Sequence, residues 1–173
     1  TTLELADGRE VVVWYPAEPG PTATDGARQT IDYYASLRPD LQAKIPVWVA
    51  YVLTPEEAVG CFPRTDNFAI DYSLPAEARS TFKDYRRSGY DTGHMANDAD
   101  LRWDPVAGDE SLLLSNMTPQ LPGFNRGIWK KLEDSTRGWA LSRQSPIMVY
   151  AGAIYGPADK TIGHGVKVPA GFF

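Results

Sequence analysis

Three side chains in the middle of this chain combine a base, an oxygen ligand and a carboxylate. His94 closes Gly89-Tyr90-Asp91-Thr92-Gly93-His94, and Asn125 opens Asn125-Arg126-Gly127-Ile128-Trp129-Lys130-Lys131-Leu132-Glu133. Between them lies Ser115-Asn116-Met117-Thr118-Pro119-Gln120. A neutral imidazole can take a proton from water near neutral pH. The amide oxygen of Asn125 is a hard donor, and magnesium accepts a single such ligand when water and phosphate complete its octahedron. Glu133 can orient a metal-bound water without touching the ion. Asn116 is a second candidate for the metal or its water network, and Arg64 can clamp a phosphate oxygen. Such a set suits metal-assisted hydrolysis of a phosphodiester.

Each residue also has an ordinary reading. A histidine after a glycine can be a structural loop residue. Asn favours the N-cap of a helix, and Asn116 can close a strand as a turn residue. Glu133 can be a solvated helix glutamate paired with a lysine, and Arg64 a surface arginine. His164, between two glycines, reads as loop.

The elements that must position these groups follow from pattern. Val11–Tyr15 and Pro46–Leu53 are apolar, β-branched runs and predict strands, and Thr54-Pro55 stops the second. Pro16–Gly26 predicts an irregular loop. Residues 31–41 predict a helix interrupted near Pro39, and Arg64–Phe68 a loop or short strand. Residues 75–87 predict a short helix with Pro75 at a permitted early position, ended by Gly89. His94 is expected on a turn, Leu112–Asn116 in a strand, and Pro119–Gly123 in a turn. Asn125–Ala140 predicts the best helix. At 100° per residue, Ile128, Trp129, Leu132, Thr136, Trp139 and Ala140 fall within about 60° of Asn125, with Glu133 at the edge and Arg137 on the far side. Ile147–Ala151 predicts a buried strand. Val168–Phe173 predicts the start of another element packed on the body, or one paired with a separate piece of polypeptide. Strands and helices alternate without a βαβ rhythm, which favours an α+β fold.

Composition sets bounds. The chain has 173 residues, enough for one domain with a substantial core but cramped for two. With 43% hydrophobic and 23% charged residues it has an ordinary globular composition. No apolar run is long enough to span a bilayer. A net charge of −5 argues against a module that binds nucleic acid by phosphate neutralisation alone. It argues less against an enzyme whose bound cation supplies positive charge locally. Cys61 is the only cysteine, so no intrachain disulfide forms, and one cysteine with two histidines cannot build a Cys/His zinc site. Cys61 itself is expected as a small buried residue. The start at Thr1 is read as a removed leader or an excised domain. A secreted or periplasmic location is favoured over an intracellular one or a delivered toxin.

The order and spacing of Asp91-Thr92-Gly93-His94, Ser115-Asn116-Met117-Thr118-Pro119-Gln120 and Asn125-Arg126-Gly127-Ile128-Trp129-Lys130-Lys131-Leu132-Glu133 resemble the DNA/RNA non-specific endonucleases of the ββα-metal, or His-Me finger, superfamily. The resemblance extends to Tyr51-Val52-Leu53-Thr54, to Arg64 with Phe68, and to Val168-Pro169 with Phe172-Phe173. It covers most of the chain after about residue 45. It implies one nuclease domain over 1–173, with residues 1–44 less securely included. A ββα-metal core at about 88–140 would sit on a central mixed or antiparallel sheet, and the C-terminal end is read as truncated or processed. It implies His94 as general base, Asn125 as magnesium ligand with manganese as substitute, and Glu133 as partner of metal-bound water. Asn116 would support the site and Arg64 would bind phosphate, with Thr92 and Arg126 as substrate contacts. The implied activity is cleavage of DNA and RNA with little sequence preference, since phosphates carry no sequence information directly. An inhibitor protein or a missing C-terminal segment is the implied partner. The chain departs from the family pattern in two places: Thr92 replaces an arginine, and Asn97-Asp98 replace small residues and proline. Both bear on rate and substrate preference, and Thr92 motivates the alternative of a weakened relative that binds nucleic acid or another partner without cutting.

Overall fold

The computed structural model describes residues 2–4, 10–12, 28–31, 35–40, 42–156 and 160–173. Its strands are β1 (Thr2–Glu4), β2 (Glu10–Val12), β3 (Arg28–Ile31), β4 (Ala35–Asp40), β5 (Ile45–Leu53), β6 (Asp91–His94), β7 (Met117–Gln120), β8 (Ile147–Ile154), β9 (Thr161–Ile162), β10 (Val166–Lys167) and β11 (Gly171–Phe172). Its α-helices are α1 (Pro55–Val59), α2 (Phe82–Tyr85), α3 (Asp98–Leu101), α4 (Pro105–Ser111) and α5 (Lys130–Arg143).

The central sheet has the order β11-β8-β5-β4-β3 and every pairing in it is antiparallel. The fold is therefore α+β, with the sheet antiparallel rather than mixed. Of residues 31–41, expected as helix, Ile31 instead ends β3 and residues 35–40 form β4, while 32–34 and 41 lie outside the described residues. Pairing of β4 along β5 outweighs local helix preference, and Pro39 is tolerated because the register shifts between Arg38 and Pro39. Of the strand expected over Val11–Tyr15, Val11 and Val12 lie in β2. Residues 13–15 and the loop expected over 16–26 lie outside the described residues.

β5 alternates as a strand covered on one face must. Val49, Tyr51 and Leu53 are buried, while Val52 is exposed. The buried set packs with Ala58 of α1, Met95, Leu101, Trp129, Ala140 and Ala151 into one core cluster. Each fully buried aliphatic side chain there contributes about 1.5–3 kcal/mol. A second cluster holds Ile45, Tyr85, Leu114, Met117, Ala153 and Val166. The terminal Phe-Phe pair packs on the body as expected: β11 pairs with β8, and Phe172 lies 5.2 Å from Phe124 and 5.6 Å from Trp129 between ring centres.

Several local expectations are corrected. Residues 75–87 form a 3-10 turn (Ala76–Ala78) and the separate α2 rather than one helix. Residues 112–116 form a 3-10 turn (Leu114–Asn116), not a strand, although Leu112 and Leu114 are fully buried. The strand comes next: β7 includes Pro119, which pairs with Thr92 in the two-stranded β6–β7 hairpin where one side of each strand needs no ladder partner. His94 ends β6 rather than standing on a turn. Cys61 is exposed on the loop after α1.

Candidate active site

The β6–β7 hairpin is the first half of the site. Gly93 faces Gln120, and a Cβ on Gly93 would collide with the Gln120 side chain. Gln120 is buried and lies across the hairpin, with Nε2 donating to the His94 carbonyl at 3.4 Å. The glycine before the histidine and the glutamine closing the second motif are thus two halves of one packing contact.

His94 sits half-buried at the end of β6. Its ring lies 5.7 Å from Phe68, and the Arg64 guanidinium lies 5.8 Å from the centre of the same Phe68 ring. Burial, reinforced by the Arg64 charge, pushes the imidazole down to about 4. It is therefore neutral at pH 7, as a base must be. Nε2 is buried without a partner among the described residues. Arg64 is itself held by Asp66, with Nε donating at 3.1 Å, and by Asp98, whose Oδ2 is 3.8 Å from Nη1. Asp98 also faces Arg102 at 3.5 Å.

Asn116 is 1% exposed and its amide is committed to backbone. Oδ1 accepts from Ala96 N at 2.9 Å, while Nδ2 donates to Ala96 O at 2.9 Å and Ser111 O at 2.8 Å. Expected as a metal ligand or support, it has the geometry of a clamp on the segment after His94.

The second half of the site is helical. Phe124–Trp129 forms a wide π-type turn, broken at Gly127 (φ −104°, ψ −106°), and α5 follows. Angles counted from Asn125 through Gly127 therefore do not carry into α5. Trp129 and Ala140 are buried as expected, but Ile128, Leu132 and Trp139 are exposed. The inward face is rotated toward Glu133 and Arg137, which correct the expected far-side place of Arg137 by burying all but 19% of its side chain.

Asn125 does not act as the N-cap through its side chain. Its Nδ2 donates to Asp91 Oδ2 at 3.0 Å. A carboxylate can only accept, so the NH₂ edge is turned to Asp91. The opposite edge, Oδ1, has no hydrogen-bond partner among the described residues. Arg126 grips the same carboxylate with two bonds, Nε to Oδ2 at 2.8 Å and Nη2 to Oδ1 at 2.6 Å. Those bonds hold the Asp91 carboxyl below its ordinary range despite partial burial. Arg126 remains 73% exposed, so the pair orients Asn125 more than it stabilises the fold. Thr92 is half-buried and pairs across the hairpin with Pro119.

Glu133 is largely removed from water. Burial first, then the nearby Asp100 charge, raises its carboxyl to about 7, with Arg137 acting in the opposite direction. No cluster of three or more His, Cys, Asp or Glu side chains able to hold a metal occurs among the described residues. A divalent ion here would rest on the free Asn125 oxygen plus water and substrate, which is within the habits of magnesium. The donor set fits that ion and not zinc, which wants nitrogen or sulfur.

The structure thus brings His94 with Arg64, and Asn125 with Arg126. Sequence reasoning gave no role to Asp91, Asp98, Asp100 or Arg137. Arg137 stands four residues after Glu133, and that spacing on one helix face was the available signal.

A hairpin that presents a neutral histidine, followed by a helix that presents an amide oxygen and a carboxylate, has the form of a ββα-metal nuclease. The family model described as DNA/RNA non-specific endonuclease matches residues 18–173. Human mitochondrial endonuclease G is 36% identical over 125 residues, 72% of this chain and 42% of that protein. The mitochondrial nuclease of Saccharomyces cerevisiae is 36% identical over 130 residues, 73% of this chain and 39% of the yeast protein. A crystal structure of the EndoG/EndoGI complex, described as revealing the mechanism of EndoG inhibition, contains a chain matched with a TM-score of 0.76 at 34% identity, over 89% of this chain and 66% of that one. The chain belongs to the DNA/RNA non-specific endonuclease family. It spans about two-fifths of the length of these two curated relatives.

Proposed function

We propose that this chain is a metal-dependent endonuclease that hydrolyses phosphodiester bonds of DNA and RNA without sequence preference. The observation that carries the reading is the Asp91–Asn125 bond, which turns one amide edge away and leaves Oδ1 free for an ion. Magnesium, or manganese in its place, would be held by Asn125; when bound it relieves charge at the phosphate and at the leaving oxygen.

This chain's own residues do the rest. His94 is neutral at working pH and takes the proton of the attacking water. Arg64, fixed over Phe68 next to His94, binds a phosphate oxygen. Glu133 orients water around the ion. Asn116 keeps the segment after His94 in register, and Arg126 keeps Asp91 aimed at Asn125. Thr92 offers a hydroxyl to the substrate backbone but no charge.

The test is a time course of plasmid and RNA digestion with magnesium, with manganese and with EDTA. Cleavage of both substrates with either metal and none with EDTA is expected. Binding without cleavage under every metal condition would replace the enzyme with the weakened relative that Thr92 suggests.

A further inference from the structure

Asp100 belongs to none of the motifs above, yet it is 2% exposed and three elements converge on it. Tyr51 on β5 donates its hydroxyl to Oδ2 at 2.6 Å. Asn97, three residues after His94, donates Nδ2 to Oδ1 at 3.1 Å. Arg137 on α5 donates Nη1 to the same oxygen at 2.9 Å, while its Nη2 reaches Asp134. Asn97 also caps α3, its Oδ1 accepting from Ala99 N at 3.2 Å. One carboxylate therefore ties the central strand, the segment leaving the histidine and the inward face of the helix that carries Glu133.

Stability alone is a poor reason for such a cluster. Desolvating a carboxylate and a guanidinium costs about as much as their attraction returns, and apolar residues of similar volume commonly serve as well or better. Directional bonds from three sides do what apolar contacts cannot: they fix rotation and distance.

We propose that Asp100 is a positioning residue of the active site: through Arg137 and Asn97 it sets the inward face of α5, with Glu133, against the segment that leaves His94. The kinetic part of the claim rests on the nuclease reading; the geometric part does not.

The test uses Asp100→Asn, the milder Tyr51→Phe and Asn97→Ala, and Asp100→Asn combined with Glu133→Gln. Two readouts are taken on the same proteins: steady-state cleavage at saturating magnesium, and amide hydrogen exchange without metal. Misplacing a group by a fraction of an ångström should lower kcat about tenfold or more in Asp100→Asn with KM changed less than about threefold. Tyr51→Phe and Asn97→Ala should lose less, in the same direction. In the Glu133→Gln background Asp100→Asn should add less than about twofold, because the two act as one unit. Exchange should quicken over residues 130–137 and stay unchanged in β5 and β8. Losses that multiply in the double variant, or exchange that quickens uniformly across the sheet and the helix, would overturn the proposal and leave Asp100 a plain stability residue. If Asp100→Asn does not fold, Tyr51→Phe and Asn97→Ala carry both readouts. If the unaltered chain cleaves nothing, the nuclease reading fails by itself while exchange still decides the geometry.

Discussion

The two halves of the site solve opposite electrostatic problems. Around His94 the neighbours are an aromatic ring and one arginine, and the imidazole is kept uncharged by burial and by a nearby cation. Around the helix the neighbours are carboxylates, Asp91 beside Asn125 and Asp100 beside Glu133, and each of these aspartates is held by an arginine. The two asparagines follow the same division. Asn116, in the hairpin half, spends its whole amide on backbone; Asn125, in the helical half, spends one edge and keeps the other. The lesson is that a residue type does not decide its role. The charge and hydrogen-bond demand of its surroundings do.

Removing the proposed base breaks the hairpin half directly. His94→Ala should lower the cleavage rate roughly 10²–10⁴-fold while leaving thermal stabilisation by magnesium intact. A variant that cuts at near the original rate would take the base away from His94.

Asn116→Ala tests whether the asparagines differ as described. It strips partners from Ala96 N, Ala96 O and Ser111 O in a buried setting. Leaving such groups unpaired costs about 1–3 kcal/mol each, so the melting temperature should fall strongly whether or not metal is present. Normal stability with a shifted magnesium requirement would restore Asn116 as a ligand.

The carboxylate half should reveal itself in pH dependence. Glu133 titrates at about 7 in the fold, above its ordinary value of 4.5. Its raised value means that stability is full below the unfolded value and is lost as pH rises through the folded one. Glu133→Gln should therefore gain in melting temperature relative to the parent as pH climbs from about 4.5 to 7, without metal, then hold constant. His94 works in the other direction, since its lowered value costs stability as pH falls toward 4. A temperature difference independent of pH would mean that Glu133 is ordinarily solvated.

The smallest change is at position 92. Thr92→Arg adds a cation to the hairpin half and should lower KM for DNA at moderate salt. It should also steepen the loss of activity with salt by about one phosphate contact. Initial rates across a salt series measure both, and unchanged affinity and slope would remove Thr92 from the substrate path.

Much of the site was legible because chemistry-bearing residues keep their order and spacing. The hairpin was not, because the apolar Leu112–Leu114 run makes one isolated bridge to Ala69 instead of a strand ladder, and Pro119 looks like a turn unless its partner strand is known. The helix face was misread for a local reason: Gly127 breaks the angular count between Asn125 and Trp129. Residues 35–40 became strand through pairing with β5, which no local pattern displays. Asp91, Asp98 and Asp100 act through partners 34 to 49 positions away in sequence, so their roles needed coordinates: Asn125 for Asp91, Arg64 for Asp98, and Tyr51 with Arg137 for Asp100.

The central claim is that Asn125, aimed by Asp91, holds the ion. It is tested most directly by magnesium activation curves for the unaltered chain and for Asn125→Ala, read as plasmid cleavage. The account predicts a curve for Asn125→Ala displaced to higher magnesium with partial recovery at the top of the range, and no cleavage by either protein in EDTA. Superimposable curves, or cleavage that persists in EDTA, would contradict it.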